Sequence, residues 1–186
     1  MGGVEINIEN VVASSELGQG IDLSSIAKAL PGAEYKPTVF PGLVLRLRNP
    51  RATALIFSSG RIVCTGAKSE KQARLAVEAA IEELRRGGIV ILGRPEAIVR
   101  NVVASCRLGV SLDLDEVARS LRGAIYEPGR FPGLVYRAKG SGVAILLFRN
   151  GNAICAGGKG ESDIREAISG LVAALRSCGA WPRGEP

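Results

Sequence analysis

The chain has 186 residues, 46% of them hydrophobic, a formal net charge of +6 and no histidine. That length can bury a sizeable core in one or two domains, yet no apolar run reaches the roughly 18 to 20 residues a membrane span needs. Without an imidazole, Ser-His and Cys-His catalysis are excluded, and Cys64, Cys106, Cys155 and Cys178 lack the C-x-x-C spacing of a zinc site. Met1-Gly2-Gly3 leads directly into Val4-Glu5-Ile6 with no basic and then apolar leader, so an intracellular protein is expected. The basic charge is shared by both halves; it suits nucleic acid without specifying it.

An alternating run from Ile6 to Ala13 predicts the first strand. A short helix follows, with Asp22 as N-cap, Leu23, Ile26, Ala27 and Leu30 on one face, and Pro31-Gly32 as its stop. Three strands are then expected over 40–48, 52–57 and 61–65, with Ser58-Ser59-Gly60 turning between the last two. Ser69 and Gln72 have capping-box spacing, and Ala73, Ala76, Val77, Ala80, Ile81 and Leu84 form the single apolar stripe of a long helix. The segment 88–96, with Gly93 and Pro95, reads as a link too short for independently tumbling domains.

After the link the chain repeats itself. At an offset of about 91 residues, Asn10-Val-Val-Ala-Ser14 returns as Asn101-Val-Val-Ala-Ser105, Phe40-Pro-Gly-Leu-Val44 as Phe131-Pro-Gly-Leu-Val135, and Cys64-Thr-Gly66 as Cys155-Ala-Gly157. About 33 positions between residues 10 and 88 match their mates without a gap. All four phenylalanines, Phe40, Phe57, Phe131 and Phe148, are repeat mates. Asp113 with Glu116 opens the second short helix, and Ile164, Ala167, Ile168, Leu171, Val172 and Leu175 form the second long stripe. The strands are apolar on both faces: Leu55 and Phe57 point one way and Ile56 the other, as do Val63 with Thr65 against Ile62 with Cys64. Two helices per repeat cover one face only, which leaves a second apolar face for a partner or ligand.

These strings, with Ala54-Leu-Ile-Phe-Ser-Ser-Gly60 and Val63-Cys-Thr-Gly-Ala-Lys68, resemble the core of the TATA-box-binding protein family, the archaeal form most, over almost the entire chain. The resemblance implies an α+β fold: a two-fold pseudosymmetric saddle, a curved antiparallel sheet of about ten strands with four helices on the convex face. Residues 1–93 and 94–186 would be its first and second repeats in one continuous unit. It implies a general transcription initiation factor, not an enzyme, that presses its concave side into the minor groove of TATA-box DNA and bends it. Phe40 and Phe57 would wedge into the base step at one end of the site, and Phe131 and Phe148 at the other. Asn10 and Asn101 would donate to minor-groove acceptors, with Val12, Leu55, Val63, Thr65, Val103, Leu146 and Ile154 lining the groove. Ala156 stands where Thr65 has its hydroxyl, a departure that makes the halves unequal.

Phosphate contacts would fall to Arg46, Arg51, Arg61 and Lys68, and in the second copy to Arg137 and Lys159. Gly142 and Asn152 replace Arg51 and Arg61 there, with Arg149 as a compensating cation. The family's protein partner, transcription factor B, would dock on the loop Tyr126–Arg130, and RNA polymerase would follow indirectly. Glu127 keeps the family's acid in that loop, whereas Gly129 and Arg130 depart from the acidic and uncharged residues usual there. No cofactor, metal or membrane contact is implied, and a homodimer of the free protein stays open as a way of hiding the apolar side. The expected location is the archaeal cytoplasm with the nucleoid, or a nucleus in a eukaryote. Ala156, Gly129 and Arg130 also motivate a second reading: a divergent paralogue acting as a regulator or interaction module with weak TATA preference. Asp113 and Asp115 read as helix-capping acids and not as a catalytic pair.

Overall fold

The computed structural model describes residues 4–138 and 140–182, so Met1-Gly2-Gly3, on which the leader expectation rests, lie outside the described residues. The elements follow in the order β1 (Glu5–Glu16), α1 (Leu23–Ala29), β2 (Ala33–Tyr35), β3 (Leu43–Arg48), β4 (Arg51–Ile56), β5 (Arg61–Ala67) and α2 (Glu70–Arg86). The second copy repeats them as β6 (Ile98–Arg107), α3 (Leu114–Ser120), β7 (Ala124–Ile125), β8 (Leu134–Arg137), β9 (Ala144–Leu147), β10 (Asn152–Gly158) and α4 (Glu161–Ser177). The fold is α+β, a ten-stranded antiparallel sheet with four helices.

Two compact units share the chain. One runs from Asn10 to Arg100; the other combines the stretch through Glu9 with the chain from Asn101 onward. In the first, the hydrogen-bonded strand order is β2-β3-β4-β5-β1. In the second it is β6-β10-β9-β8-β7. Leu55 pairs with Val44 on one side and Val63 on the other; its mate Leu146 pairs with Val135 and Ile154. Both copies break register near the asparagine, between Val11 and Ala13 in β1 and between Ala156 and Gly158 in β10.

The strand period of two sorts the residues of β4 and β5. Along β4 and β5, Ala52, Ala54, Ile56, Ile62 and Cys64 are buried, while Thr53, Leu55, Val63 and Thr65 between them are half-exposed. α2 lies against β5, β4 and β3, and its predicted stripe, Ala73, Ala76, Val77, Ala80, Ile81 and Leu84, is buried throughout. In the other unit α4 packs on β10 with Ile164, Ala167, Ile168, Leu171 and Leu175 buried; Val172, expected on that stripe, is only half-buried at its edge. Each fully buried Ile or Leu contributes roughly 1.5–3 kcal/mol relative to exposure, so these seams hold the helices to one face.

The local signals explain most boundaries. The Asp22 carboxylate accepts from the Ser24 and Ser25 N–H groups, and Asp113 does the same for Asp115 and Glu116. Ser69 caps α2 through Gln72 N–H at 3.2 Å; Gly160, its mate, offers α4 no side-chain cap. β3 starts at Leu43 and not at Phe40, because the Phe40 N–H bonds back to the Lys36 carbonyl and closes a turn. β1 runs three residues beyond the expected Ala13. The short edge strands β2 and β7 are too brief for any periodic signal. Gly60 and Gly151 hold φ of 87° and 75° in the hairpin turns, where a Cβ would lie 2.1 and 2.0 Å from the Gln19 and Val110 carbonyl oxygens.

Candidate nucleic-acid interface

In the unit Asn10–Arg100 the helix-free face carries Phe40, Phe57, Leu55, Val63, Thr65, Val12 and Asn10, all half-exposed. Phe40 and Phe57 meet edge to face, with ring centroids 5.8 Å apart and planes at 65°. Gly42 makes this possible: a Cβ there would stand 2.7 Å from a Phe40 ring carbon and 3.1 Å from one of Phe57. The Phe-Pro-Gly string is therefore a ring seat, in which glycine supplies the room for two benzyl groups. None of the four rings is sealed beneath a helix.

Asn10 is a fixed donor. Its Oδ1 accepts from the Gly66 N–H at 2.7 Å, which sets the amide orientation, and its Nδ2 lies 3.0 Å from Thr65 Oγ1. With the carbonyl engaged and one amide N–H donated to Thr65 Oγ1, the second N–H is the one left for an outside acceptor. The positive φ of Gly66, 97°, belongs to the same bulge that brings its N–H to the asparagine.

The second unit repeats the arrangement with altered chemistry. Phe131 and Phe148 are 6.1 Å apart at 62°, and Gly133 would place a Cβ 2.6 Å from the Phe131 ring. Phe131 and Ile154 are each 43% exposed, which marks this face as uncovered. Asn101 Oδ1 accepts from the Gly157 N–H at 2.9 Å, as its mate does, but Ala156 presents no hydroxyl to the amide. Thr53 opposite Thr65 in the first unit becomes Ala144 opposite Ala156 in the second, so two hydroxyls are replaced by two methyls. Val103 and Leu146 complete the half-exposed apolar set.

The proposed phosphate ligands are all exposed, but not all unengaged. Arg46 is ion-paired with Glu34, and Arg61 with Glu16 at 2.6 Å. Arg46, Arg51, Lys68 and Lys71 line one open cleft with Thr53 and Thr65. The corresponding cleft in the second unit has Lys159 beside Asp163 and Glu166. Arg137 is exposed at the end of β8. Arg149, expected as a compensating cation, is instead held 2.8 Å from Asp115 and 3.3 Å from the Tyr126 hydroxyl; the bond to Tyr126 raises its already high pKa further. In the loop before Phe131, Arg130 pairs with Glu127 at 3.1 Å, and Gly129 has open space around it.

The structure also brings in residues that the motif strings did not single out. Arg100 Nε donates to Ser14 Oγ at 2.8 Å inside the first unit, and Ser105 Oγ donates to Glu9 Oε1 at 2.6 Å inside the second. Ser14 pairs with Val63 across the strands and Ser105 with Ile154, so both charged groups lie on the open face. An alignment of the repeats offers the signal, since Glu9 and Arg100 are mates of opposite charge directly before the two asparagines.

Fold and face together define a class: a duplicated α+β protein whose helices seal one side of its strands and leave a matched pair of apolar, aromatic-tipped faces open. The family model described as "Transcription factor TFIID (or TATA-binding protein, TBP)" matches residues 5–87 and again 96–178. The chain is 46% identical over 177 residues to the TATA-box-binding protein of Archaeoglobus fulgidus, covering 94% of this chain and 97% of that one. It is 42% identical to that of Methanocaldococcus jannaschii over 92% of this chain and 94% of the relative. The solved structure of Methanococcus jannaschii TBP superposes with a TM-score of 0.82 at 42% identity, covering 93% of this chain and 99% of that one. The chain belongs to the TATA-binding protein family, in its archaeal type; this is a non-enzymatic family with a role in transcription.

Proposed function

We propose that the protein binds the minor groove of promoter TATA-box DNA, kinks it with its paired phenylalanines and then recruits transcription factor B and RNA polymerase. The observation that carries this reading is the two edge-to-face phenylalanine pairs, each half-exposed on a face its own helices leave bare. An aromatic edge entering a base step costs a few kcal/mol of unstacking, which contact along the opened groove offsets. A·T pairs suit such a face because they present only acceptors there, with no protruding guanine amino group. Asn10 and Asn101, their carbonyls engaged by backbone N–H groups, supply the donors. Each repeat, 1–93 and 94–186, contributes its own wedge pair and its own asparagine. Arg46, Arg51, Arg61, Lys68, Arg137 and Lys159 position the complex on phosphates without reading sequence.

Recruitment of transcription factor B belongs to the same reading, through the exposed loop around Glu127, Gly129 and Arg130. The Arg130–Glu127 ion pair partly neutralises that loop, and it is what favours the second reading of a regulator with reduced partner affinity. One experiment tests the core: a TATA duplex carrying fluorophores at both ends, bound by wild type, Phe57→Ala and Phe148→Ala. Each substitution should lower bending-dependent energy transfer. Equal bending by all three, or equal affinity for TATA and scrambled duplexes, would overturn the proposal.

A further inference from the structure

Resting on that reading, a second level of selectivity follows from Glu9 and Arg100. Two mates that open their repeats in the same way differ by two units of formal charge, and each is built into its own unit. Arg100 is hydrogen-bonded over Ser14, which is itself 5% exposed, and Glu9 is hydrogen-bonded to Ser105. Both therefore reach the open face through these serines, whose cross-strand partners are Val63 and Ile154. Among the described residues the clefts differ in the same sense: Arg46, Arg51, Lys68 and Lys71 line the one in the Arg100 unit, and Lys159 with Asp163 and Glu166 the other.

Direction is otherwise hard for such a complex to read. The wedges, the asparagines and most of the lining are repeated side for side. In the minor groove A·T and T·A present nearly the same acceptors, so an A·T duplex has little polarity to offer in return. A guanidinium is attracted to the acceptors and to the negative potential of an A·T minor groove. A carboxylate meets repulsion there from acceptors and phosphates alike. The one minor-groove group that donates to it is the exocyclic amino group of guanine.

We propose that Glu9 and Arg100 are specificity-determining residues that set the direction of binding: the Arg100 unit takes the uninterrupted A·T half of the site, and the Glu9 unit takes the half that carries a G·C pair. The two serines are positioning residues that hold these charges over the face.

The test uses the full chain labelled with a donor dye at Cys178, the one cysteine of the four that is not buried. The duplex is a TATA box with a single G·C pair in one half and an acceptor dye on either end. Wild type should favour one direction by about tenfold, the scale of one good polar contact to a base edge. The double variant Glu9→Arg with Arg100→Glu should invert the preference, and Glu9→Gln with Arg100→Gln should bring it close to one to one. An unchanged preference in the swapped protein, or equal transfer from both ends in wild type, overturns the assignment. Bending is measured in parallel with dyes on both DNA ends. A protein that bends the duplex but shows no charge-dependent direction defeats this inference alone, whereas one that neither binds nor bends defeats the proposed function and this inference with it.

Discussion

Asn10 and Asn101 show how a short polar side chain can be aimed. Each spends its carbonyl on a backbone N–H one strand away, which fixes the amide orientation and keeps at least one amino N–H for an outside acceptor. Asn101→Ala should weaken TATA binding by about 0.5–1.5 kcal/mol, the net worth of an ordinary hydrogen bond, measured by titration at fixed salt. The midpoint should also fall by a few degrees, because the substitution removes the bond from the Gly157 N–H. Gly42→Ala or Gly133→Ala should act more broadly: the new Cβ displaces a ring, so bending should fall although no phenylalanine is altered. Ser15 is a contrasting residue. Its hydroxyl is buried and lacks a hydrogen-bond partner, and its mate is Cys106, whose Sγ lies 3.8 Å from that of Cys155. Ser15→Ala should stabilise the protein by about 1 kcal/mol, raising the midpoint by roughly 2–4 °C in a scanning melt. A lowered midpoint would show that the hydroxyl is satisfied in solution.

At the scale of elements, helix starts carry titratable information. The bond from the Ser25 side chain, with the Ser24 and Ser25 N–H groups, holds the Asp22 carboxyl below its usual value. A carboxyl depressed on folding adds stability that is present above its unfolded pKa, near about 3.9, and is lost as pH falls through the lower folded value. Asp22→Asn keeps a capping oxygen but cannot titrate. The stability difference between wild type and this variant should therefore shrink as pH falls below about 4, and stay flat from pH 5 to 8. Ser69→Ala removes the hydroxyl that caps α2 at the Gln72 N–H and should cost about 1 kcal/mol, read from denaturant midpoints. The corresponding change at Gly160 has no cap to remove.

For the molecule as a whole, charge and burial divide the work. Cationic side chains rim the open faces, so affinity should fall with salt, and Arg51→Ala should reduce the slope of log K against log salt by about one. Glutamates already pair with Arg46 and Arg61, so their removal should change that slope less than Arg51 does. Burial pushes the Cys64 thiol up to about 12, and the bond to Cys106 raises that of Cys155, so both stay neutral thiols at physiological pH. Alkylation of the native protein should be confined to Cys178.

Much of this was legible in the chain. The offset repeat, the two long apolar stripes and the alternation through Leu55-Ile56-Phe57 are local periodicities, and helix and strand geometry convert them directly into faces. The Asp22, Asp113 and Ser69 caps were legible for the same reason, since a cap and the N–H it serves lie within three residues. The seat that Gly42 gives two rings, the Gly66 bond that aims Asn10, and the capture of Arg149 by Asp115 were not legible. Each joins residues far apart in sequence, and neither spacing nor composition records which distant groups meet. The same holds for Glu9 and Arg100: their opposite charge is written in the repeat, but only strand pairing sets one on Ser105 and the other on Ser14, both on the open face. Sequence alone determined which residues can turn toward a ligand. Tertiary structure decided which of them are held there, because orientation comes from partners that folding supplies.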